Sequence, residues 1–391
     1  MASKIKISSF LTLLPMIFFF YVYLNNTVQA MQEKYVVGGY PAASKTTPYT
    51  LAASRTPRPI KYADLNVWKK KSAAQSAQKW LDNAGNANAL MLIDNNTIVF
   101  EGYKGLGRKD TEFYSMSMSK SLTSLAIGKA LCNGKIGALD NLAGDYVPEL
   151  KNNNNNLGKS TIKQLLTMSS GNWKTAFIGQ PAISGGMGVN KNGKPFPGSG
   201  WPMRLGQITV ADYLWGDVWK RAQNKNFAEP GKFFTYTSGD TLALSKVIER
   251  ATGRSTAQYF DETIWANIGS ENQARWESDR DGSTLANAGF QATLRDWGRL
   301  TIWVLENYSK NDCFGQFLKE STRTQINVTN SKGFKGYGFQ WWTDNKFAPG
   351  FWAKGVGDQA IGINPKTSKI IIKFSQDPDR GFYNLFKKWN E

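Results

Sequence analysis

Residues 114–127 read YSMSMSKSLTSLAI, a run of small polar residues that leads into apolar residues at helical spacing. Ser117 lies three residues before Lys120, and in a helix this spacing places both side chains on one face, one turn apart. A lysine buried in such a position has a lowered pKa and can accept the proton of a serine hydroxyl. The segment therefore predicts a serine nucleophile, Ser117, with Lys120 as its base.

The chain contains no histidine, which excludes a Ser-His-Asp triad and a Cys-His pair. Any acyl-transfer chemistry must therefore use lysine or tyrosine as the base. The same S-x-x-K spacing occurs at three other places, Ser3/Lys6, Ser76/Lys79 and Ser160/Lys163. Ser117 differs from these because it heads an apolar helical stretch. The alternative is an ordinary serine at a helix N-terminus followed by a surface lysine.

The composition is that of a globular chain: 391 residues, 41% hydrophobic and 13% aromatic. At the N-terminus, Lys4 and Lys6 precede an apolar run over residues 10–24, and Val28-Gln29-Ala30 resembles a cleavage site. We expect residues 1–30 to be a secretory signal peptide, with an uncleaved anchor as the alternative. Export predicts a periplasmic or secreted protein. Residues 31–71 then form an extended arm, and residues 72–391 form the main domain.

The formal charge falls from +18 to +16 if Lys4 and Lys6 are removed with the signal peptide. A solvated basic surface is the preferred interpretation, and weak attraction to anionic envelope polymers is the alternative. No nucleic-acid-binding motif is present, and no stable partner is implied. Cys132 and Cys313 can form a disulfide in an oxidising compartment if they meet in space. Without histidine, and with two distant cysteines, we expect no metal site and no cofactor.

The coarse pattern places strands at both chain ends and helices between them. A hairpin is predicted at residues 89–101 near the N-terminus. Helical patterns dominate the middle of the chain, so a mostly helical insertion is expected at roughly residues 130–330. Further strands and a last helix follow at 337–342, 360–363, 370–374 and 379–389. This order predicts an α+β fold with one antiparallel sheet built from both chain ends and flanked by helices. Residues 174–206, rich in Gly and Pro, are a candidate lid.

Two later segments can complete a site around Ser117. Tyr236 lies in a polar-tipped turn before a helix and can act as general acid or base if a nearby cation lowers its pKa. Ser238 can hydrogen-bond Lys120 or relay a proton. Gly355-Val356-Gly357 precedes a strand, and closely spaced glycines let the backbone approach a ligand. A buried tyrosine and an ordinary β-bulge are the alternative readings of these segments.

Taken in order, four segments resemble those of the serine β-lactamase-related hydrolases: 117–120, 165–171, 236–238 and 355–359. The resemblance is to the branch with class C β-lactamases, esterases and 6-aminohexanoate-dimer hydrolases. It implies a β-lactamase/transpeptidase-like fold. It also implies that Ser117 is acylated, that Lys120 and Tyr236 share proton transfer with Ser238 in support, and that the backbone N–H groups of Ser117 and Val356 form the oxyanion hole.

The chain departs from class C β-lactamases at two of these motifs. Ser238 stands where those enzymes carry asparagine, and no Lys-Thr-Gly tripeptide occurs near residue 355, where Lys354 is the one candidate to supply a charge. We therefore expect an amidase or esterase acting on a small-molecule amide or ester. The alternatives are a class C β-lactamase or D-alanyl carboxypeptidase, and a catalytically silent protein that binds an envelope polymer.

Overall fold

The computed structural model describes residues 46–85, 87–151, 155–172, 187–189, 195–197, 203–204, 206–216, 228–329, 331, 333–375 and 381–391. The predicted signal peptide and most of the predicted lid lie outside the described residues. Within the part that is described, no helix combines the length and the apolar character needed to cross a lipid bilayer.

The larger of the sheets carries strands from both ends of the chain. The strands of all the sheets, in chain order, are β1 Tyr49–Leu51, β2 Lys61–Tyr62, β3 Ala87–Asp94, β4 Thr97–Tyr103, β5 Glu112–Tyr114, β6 Met187–Val189, β7 Pro195–Pro197, β8 Ala274–Trp276, β9 Phe290–Thr293, β10 Ile326–Asn327, β11 Phe334–Tyr337, β12 Trp342–Asn345, β13 Phe351–Gly355, β14 Gln359–Asn364 and β15 Lys369–Ser375. The order across this sheet is β10-β11-β12-β13-β14-β15-β3-β4-β2, and only the short β2–β4 pairing is parallel. The strand from near the C-terminus, β15, thus pairs with β3, so the predicted α+β sheet is confirmed.

Helices cover both faces of the sheet. They are α1 Trp68–Asn83, α2 Ser119–Cys132, α3 Ala143–Tyr146, α4 Asn156–Lys159, α5 Ile162–Leu166, α6 Val210–Leu214, α7 Ser238–Thr252, α8 Thr256–Phe260, α9 Ala266–Ile268, α10 Leu294–Tyr308, α11 Cys313–Ser321 and α12 Gly381–Asn390, with a π-helical turn at Asp261–Trp265 and 3-10 turns at Met116–Met118, Pro148–Leu150 and Val356–Asp358. The sequence of β3 is apolar from Ala89 to Ile93 because the strand is buried on both faces. Leu90 and Leu92 pack towards α1 and α12, while Met91 and Ile93 pack into the core that contains α2 and α10. A strand buried on both faces has no polar side to alternate with.

A second, four-stranded sheet has the order β1-β8-β9-β5. It lies outside the sequence prediction because its strands are three or four residues long, too short to show a period of two. The insertion expected at roughly residues 130–330 is therefore not wholly helical. The sheet matters for the site because β5 leads directly into Ser117 and β9 follows the loop that contacts Lys120.

The predicted strand over residues 337–342 is wrong. Strand β11 ends at Tyr337, β12 begins at Trp342, and the chain turns between them with Gln340 at φ 63°. Gly338 permits the turn, since a Cβ at this position would lie 2.1 Å from the Ser321 carbonyl oxygen. The Gln340 side chain donates to the Leu165 and Leu166 carbonyls and accepts from Thr241. The turn thereby joins the sheet to the helical region.

Cys132 and Cys313 are bonded to each other, with their Cα atoms 5.7 Å apart. The disulfide links the C-terminal end of α2 to the first residue of α11. The pairing that the sequence left open is thus present in the structure, and it anchors the far end of the helix that begins beside Ser117.

Candidate active site

Ser117 lies in a single 3-10 turn between β5 and α2. The preceding residue, Met116, has a φ of 48°, a left-handed conformation that costs a non-glycine residue about 1–2 kcal/mol. Gly355 at the end of β13 packs against this turn. A Cβ on Gly355 would lie 2.5 Å from the Ser115 carbonyl oxygen and 2.8 Å from the Met116 Cβ. The strand end and the nucleophile turn are therefore held in direct backbone contact.

Three serines alternate in this segment, and the structure gives them different roles. The Ser115 and Ser119 hydroxyls are buried and lie 2.7 Å apart in a hydrogen bond. Ser119 Oγ also accepts from the Phe290 N–H at 3.2 Å, which fixes the start of α2 to β9. Ser117 is partly exposed. Of the three, Ser117 therefore has the hydroxyl that a substrate can reach.

Lys120 is 2% exposed, and its Nζ lies 3.2 Å from Ser117 Oγ. The same Nζ donates to the backbone carbonyl of Asn287 at 2.8 Å. Burial lowers the pKa of Lys120 from 10.5 to about 7, because the charged amine loses hydration. The structure thus brings together the predicted nucleophile and a lysine that is substantially neutral near pH 7.

Tyr236 completes the group from the opposite side. Its ring centroid lies 5.1 Å from Lys120 Nζ, and its phenol is a hydrogen-bond partner of Ser117. The ring stacks on Trp342 at 5.4 Å and meets Tyr337 edge-on. Burial raises the pKa of Tyr236 to about 12, and the Ser117 hydrogen bond opposes this only in part. The condition for a tyrosinate base, a pKa lowered by a cation, is therefore not met; the neutral phenol is suited to donating a proton.

Ser238 is connected to Lys120 through a residue that the sequence reasoning missed. Asn287 Nδ2 donates to Ser238 Oγ at 3.0 Å, while the Asn287 carbonyl accepts from Lys120. The predicted contact between Ser238 and Lys120 is thus replaced by a bridge. Thr123 Oγ1 holds the adjoining Ala286 carbonyl at 3.0 Å. The only sign of this role in the sequence was that Asn287 stands as a single amide residue between two alanines shortly before β9.

The segment 165–171, second of the four matched motifs, supports the tyrosine and does not contact Ser117 in the described hydrogen bonds. The buried carboxylate of Asp240 accepts from Ser170 Oγ at 2.6 Å and from the Ser170 N–H at 3.3 Å. Burial raises the pKa of Asp240 to about 7. The Thr235 N–H donates to the Met168 carbonyl at 2.7 Å. These bonds bracket Tyr236 in the chain and so fix its position.

Val356, whose N–H is the predicted second donor to the oxyanion, is exposed in the 3-10 turn that follows Gly355, next to the nucleophile turn. The Lys354 side chain lies on the other face of the sheet. It forms an ion pair with Asp358, and its Nζ lies 5.1 Å from the centroid of the Tyr383 ring on α12. Lys373, fully buried, pairs with the same carboxylate at 2.5 Å. Lys354 is therefore not placed to hold a substrate carboxylate beside Ser117.

Among the described residues, no group of three or more Cys, Asp or Glu side chains is arranged to hold a metal ion. Lys120 and Tyr236 both contact Ser117, and together the three residues form the catalytic group of a serine hydrolase. The model of the β-lactamase family matches residues 81–389, which contain all of them. The chain belongs to the β-lactamase family. It is accordingly a β-lactamase-related serine hydrolase, and the resemblance drawn from the four motifs is confirmed.

Relatives within this family include a 6-aminohexanoate-dimer hydrolase of Paenarthrobacter ureafaciens. It is 24% identical over 307 residues, which cover 75% of this chain and 73% of the relative. Among solved structures, a Bacillus anthracis protein named as a 6-aminohexanoate-dimer hydrolase is 23% identical with a TM-score of 0.62, covering 88% of this chain and 89% of its own. EstCE1, a hydrolase with promiscuous acyltransferase activity, is 14% identical with a TM-score of 0.61, covering 84% of this chain and all of its own. At these identities the two structures establish the shared β-lactamase/transpeptidase-like fold.

Proposed function

We propose that the protein is an exported amidase or esterase that cleaves a small-molecule substrate through an acyl-enzyme on Ser117, as a 6-aminohexanoate-dimer hydrolase would. The observation that carries the proposal is the 3.2 Å contact between Ser117 Oγ and the buried Lys120 Nζ, whose pKa is about 7. A neutral amine at this distance can take the serine proton as the nucleophile attacks.

The arrangement supports a two-step reaction. Ser117 Oγ bonds to the substrate carbonyl carbon while its proton passes to Lys120. The bond to the leaving amine or alcohol breaks as that group takes a proton from the Tyr236 phenol, which Lys120 then replaces. Water next attacks the acyl carbon and gives up a proton to Lys120; the bond from the acyl carbon to Ser117 Oγ then breaks as Lys120 returns this proton to Ser117. The backbone N–H groups of Ser117 and Val356 are the proposed donors to the oxyanion in both steps.

The position of Lys354 favours an amidase or esterase over a β-lactamase. A β-lactam carries a carboxylate that the Lys-Thr-Gly strand motif helps to hold in class C enzymes, and here Lys354 is paired with Asp358 on the other face of the sheet. The relative from Paenarthrobacter ureafaciens, which is named as a 6-aminohexanoate-dimer hydrolase, also supports an amidase. Export is supported by the N-terminal apolar run and by the disulfide, since disulfides persist in oxidising compartments.

The test is turnover of nitrophenyl esters and of 6-aminohexanoate dimer by the wild type and by Ser117→Ala, with nitrocefin as the β-lactam. We expect Ser117→Ala to abolish turnover while its circular dichroism spectrum stays that of the wild type. Ser76→Ala is the matched control, because Ser76 is exposed and has the same spacing to a lysine. A fluorophosphonate probe followed by mass analysis should modify Ser117.

Each of the alternatives has its own outcome. Turnover that survives in Ser117→Ala would refute the nucleophile. Nitrocefin turnover faster than that of esters and amides would favour a β-lactamase. A wild type with neither turnover nor probe labelling would favour the catalytically silent polymer-binding protein.

A further inference from the structure

An exposed apolar patch lies where the chain enters α1. It consists of Leu65, Val67 and Trp68, which are 44%, 48% and 75% exposed. We call these three residues the apolar corner. Trp68 contrasts with tryptophans such as Trp265 and Trp276, which are fully buried. Large apolar side chains that lie close together in the sequence and are exposed to solvent are a feature of interaction sites.

Three lysines, Lys69, Lys70 and Lys71, follow the apolar corner directly and occupy the first turn of α1, which has no acidic residue. The N-terminal end of a helix carries partial positive charge, so lysines there oppose helix stability. Lys70 has a partner, Asp94, at 3.7 Å. Lys69 and Lys71 are exposed. Helix formation therefore does not explain why the lysines are placed here.

We propose that the apolar corner, together with Lys69 and Lys71, docks the protein on the surface of an anionic lipid bilayer. Tryptophan beside aliphatic side chains is suited to the boundary between headgroups and acyl chains, and adjacent lysines attract anionic headgroups. A soluble polyanion would satisfy the lysines alone and leave Trp68 in water. The combination of exposed apolar area with positive charge therefore selects a membrane surface over a dissolved polymer.

Residues 31–45, the first part of the N-terminal arm, are the competing occupant of the apolar corner. Residues 31–45 contain one acid, Glu33, and two bases, Lys34 and Lys45. A segment with net positive charge does not complement Lys69 and Lys71, whereas an anionic bilayer does. Charge thus favours the lipid surface, and coverage of the apolar corner by residues 31–45 is the alternative that the first experiment tests.

The first experiment places a reporter in the corner of the full-length chain. The native cysteines are bonded to each other, so Leu65→Cys can be labelled selectively with the polarity-sensitive fluorophore NBD. We expect blue-shifted, brighter emission with phosphatidylglycerol-containing vesicles and no change with pure phosphatidylcholine. A label at Asp281→Cys, on the exposed loop between β8 and β9, should stay unchanged. Emission at position 65 that is already blue-shifted without vesicles and insensitive to them would show that the arm covers the corner, and would overturn the proposal.

The second experiment compares vesicle partitioning of charge-matched variants. Each lysine near an anionic surface contributes roughly fivefold in partitioning, so Lys69→Glu/Lys71→Glu should weaken binding by more than about 20-fold. Lys135→Glu/Lys159→Glu makes the same change in net charge at exposed positions elsewhere and should bind nearly as the wild type. Equal losses of vesicle binding in both double variants would show that binding depends only on net charge, and would refute a docking site at the apolar corner.

Trp68→Ala separates lipid from polymer. It should lower partitioning onto phosphatidylglycerol vesicles by about tenfold or more, because it removes a large apolar side chain from the interface. Binding to heparin, a soluble polyanion, should not respond to this change. If Trp68→Ala leaves vesicle binding intact while the lysine variant loses it, the surface is a polyanion site and the lipid assignment is wrong. Turnover of a soluble ester should be unchanged in all these variants, because none of them touches the active site.

Discussion

Replacing Lys120 with methionine should abolish turnover and, at neutral pH, stabilise the fold. Methionine has a similar length and no charge, so it can occupy the same buried position without needing hydration. In the wild type, the lysine pKa is about 7 in the folded protein and 10.5 when unfolded. Between these values the unfolded state binds more protons than the folded state, so the lysine destabilises the fold there, and stability rises with pH across that window.

The size of the effect follows from the two pKa values. At pH 7 the difference in proton binding costs the wild type about 4 kcal/mol, and at pH 10 it costs about 1 kcal/mol. The variant also loses the hydrogen bonds of Nζ to Ser117 and to the Asn287 carbonyl, worth about 2 kcal/mol together. Lys120→Met should therefore be more stable than the wild type by about 2 kcal/mol at pH 7 and less stable by about 1 kcal/mol at pH 10.

Urea unfolding followed by tryptophan fluorescence at pH 7, 8.5 and 10 measures this difference in the free energy of unfolding. The control is Leu125→Met, a change of similar volume at a buried residue of α2 that does not titrate, so its difference from the wild type should not change with pH. A Lys120→Met difference that stays constant from pH 7 to pH 10 would refute the lowered lysine pKa, and with it the assignment of Lys120 as a neutral base.

Two further predictions concern catalysis. The value of kcat/KM for an ester should rise with pH through an apparent pKa of about 7, as Lys120 loses its proton. It should then stay high to at least pH 10, because the pKa of Tyr236 is about 12. A value of kcat/KM that falls between pH 7 and pH 9 would contradict the assignment of Lys120 as base and Tyr236 as acid. Tyr236→Phe should lower kcat by about 10²- to 10⁴-fold with little change in KM, since only the proton donor is lost. Stopped-flow measurement of acyl-enzyme formation and breakdown with a nitrophenyl ester tests this prediction, with Tyr146→Phe as the control. An unchanged kcat would remove Tyr236 from the mechanism.

The sequence was informative where a local pattern carries the chemistry. The spacing of Ser117 and Lys120 is a property of one helical turn, so it survives folding unchanged. The absence of histidine reduced the possible bases to two residue types. The strands at 89–93, 360–363 and 370–374 were predictable because each is an apolar run, interrupted only by Lys373 in the last of them, and each is buried on both faces of the sheet.

Features that depend on long-range packing could not be predicted. The position of Asn287 depends on how the loop before β9 folds over α2, and nothing in its neighbours encodes that contact. The direction of Lys354 depends on the register of β13, in which one residue decides the face. The pKa of Tyr236 moves up instead of down because burial outweighs the effect of its neighbours, and burial is a property of the assembled core.

The pairing of β15 with β3 has a consequence for the time at which the enzyme becomes active during synthesis. The nucleophile turn leaves the ribosome early, but Gly355, which packs against it, and β15, which completes the sheet beside β3, are made almost 240 residues after Ser117 or later. Contacts of such high sequence separation form slowly. A nascent chain therefore carries Ser117 and Lys120 long before it can hold them in place, and the site is complete only once the residues up to the end of β15 have been made.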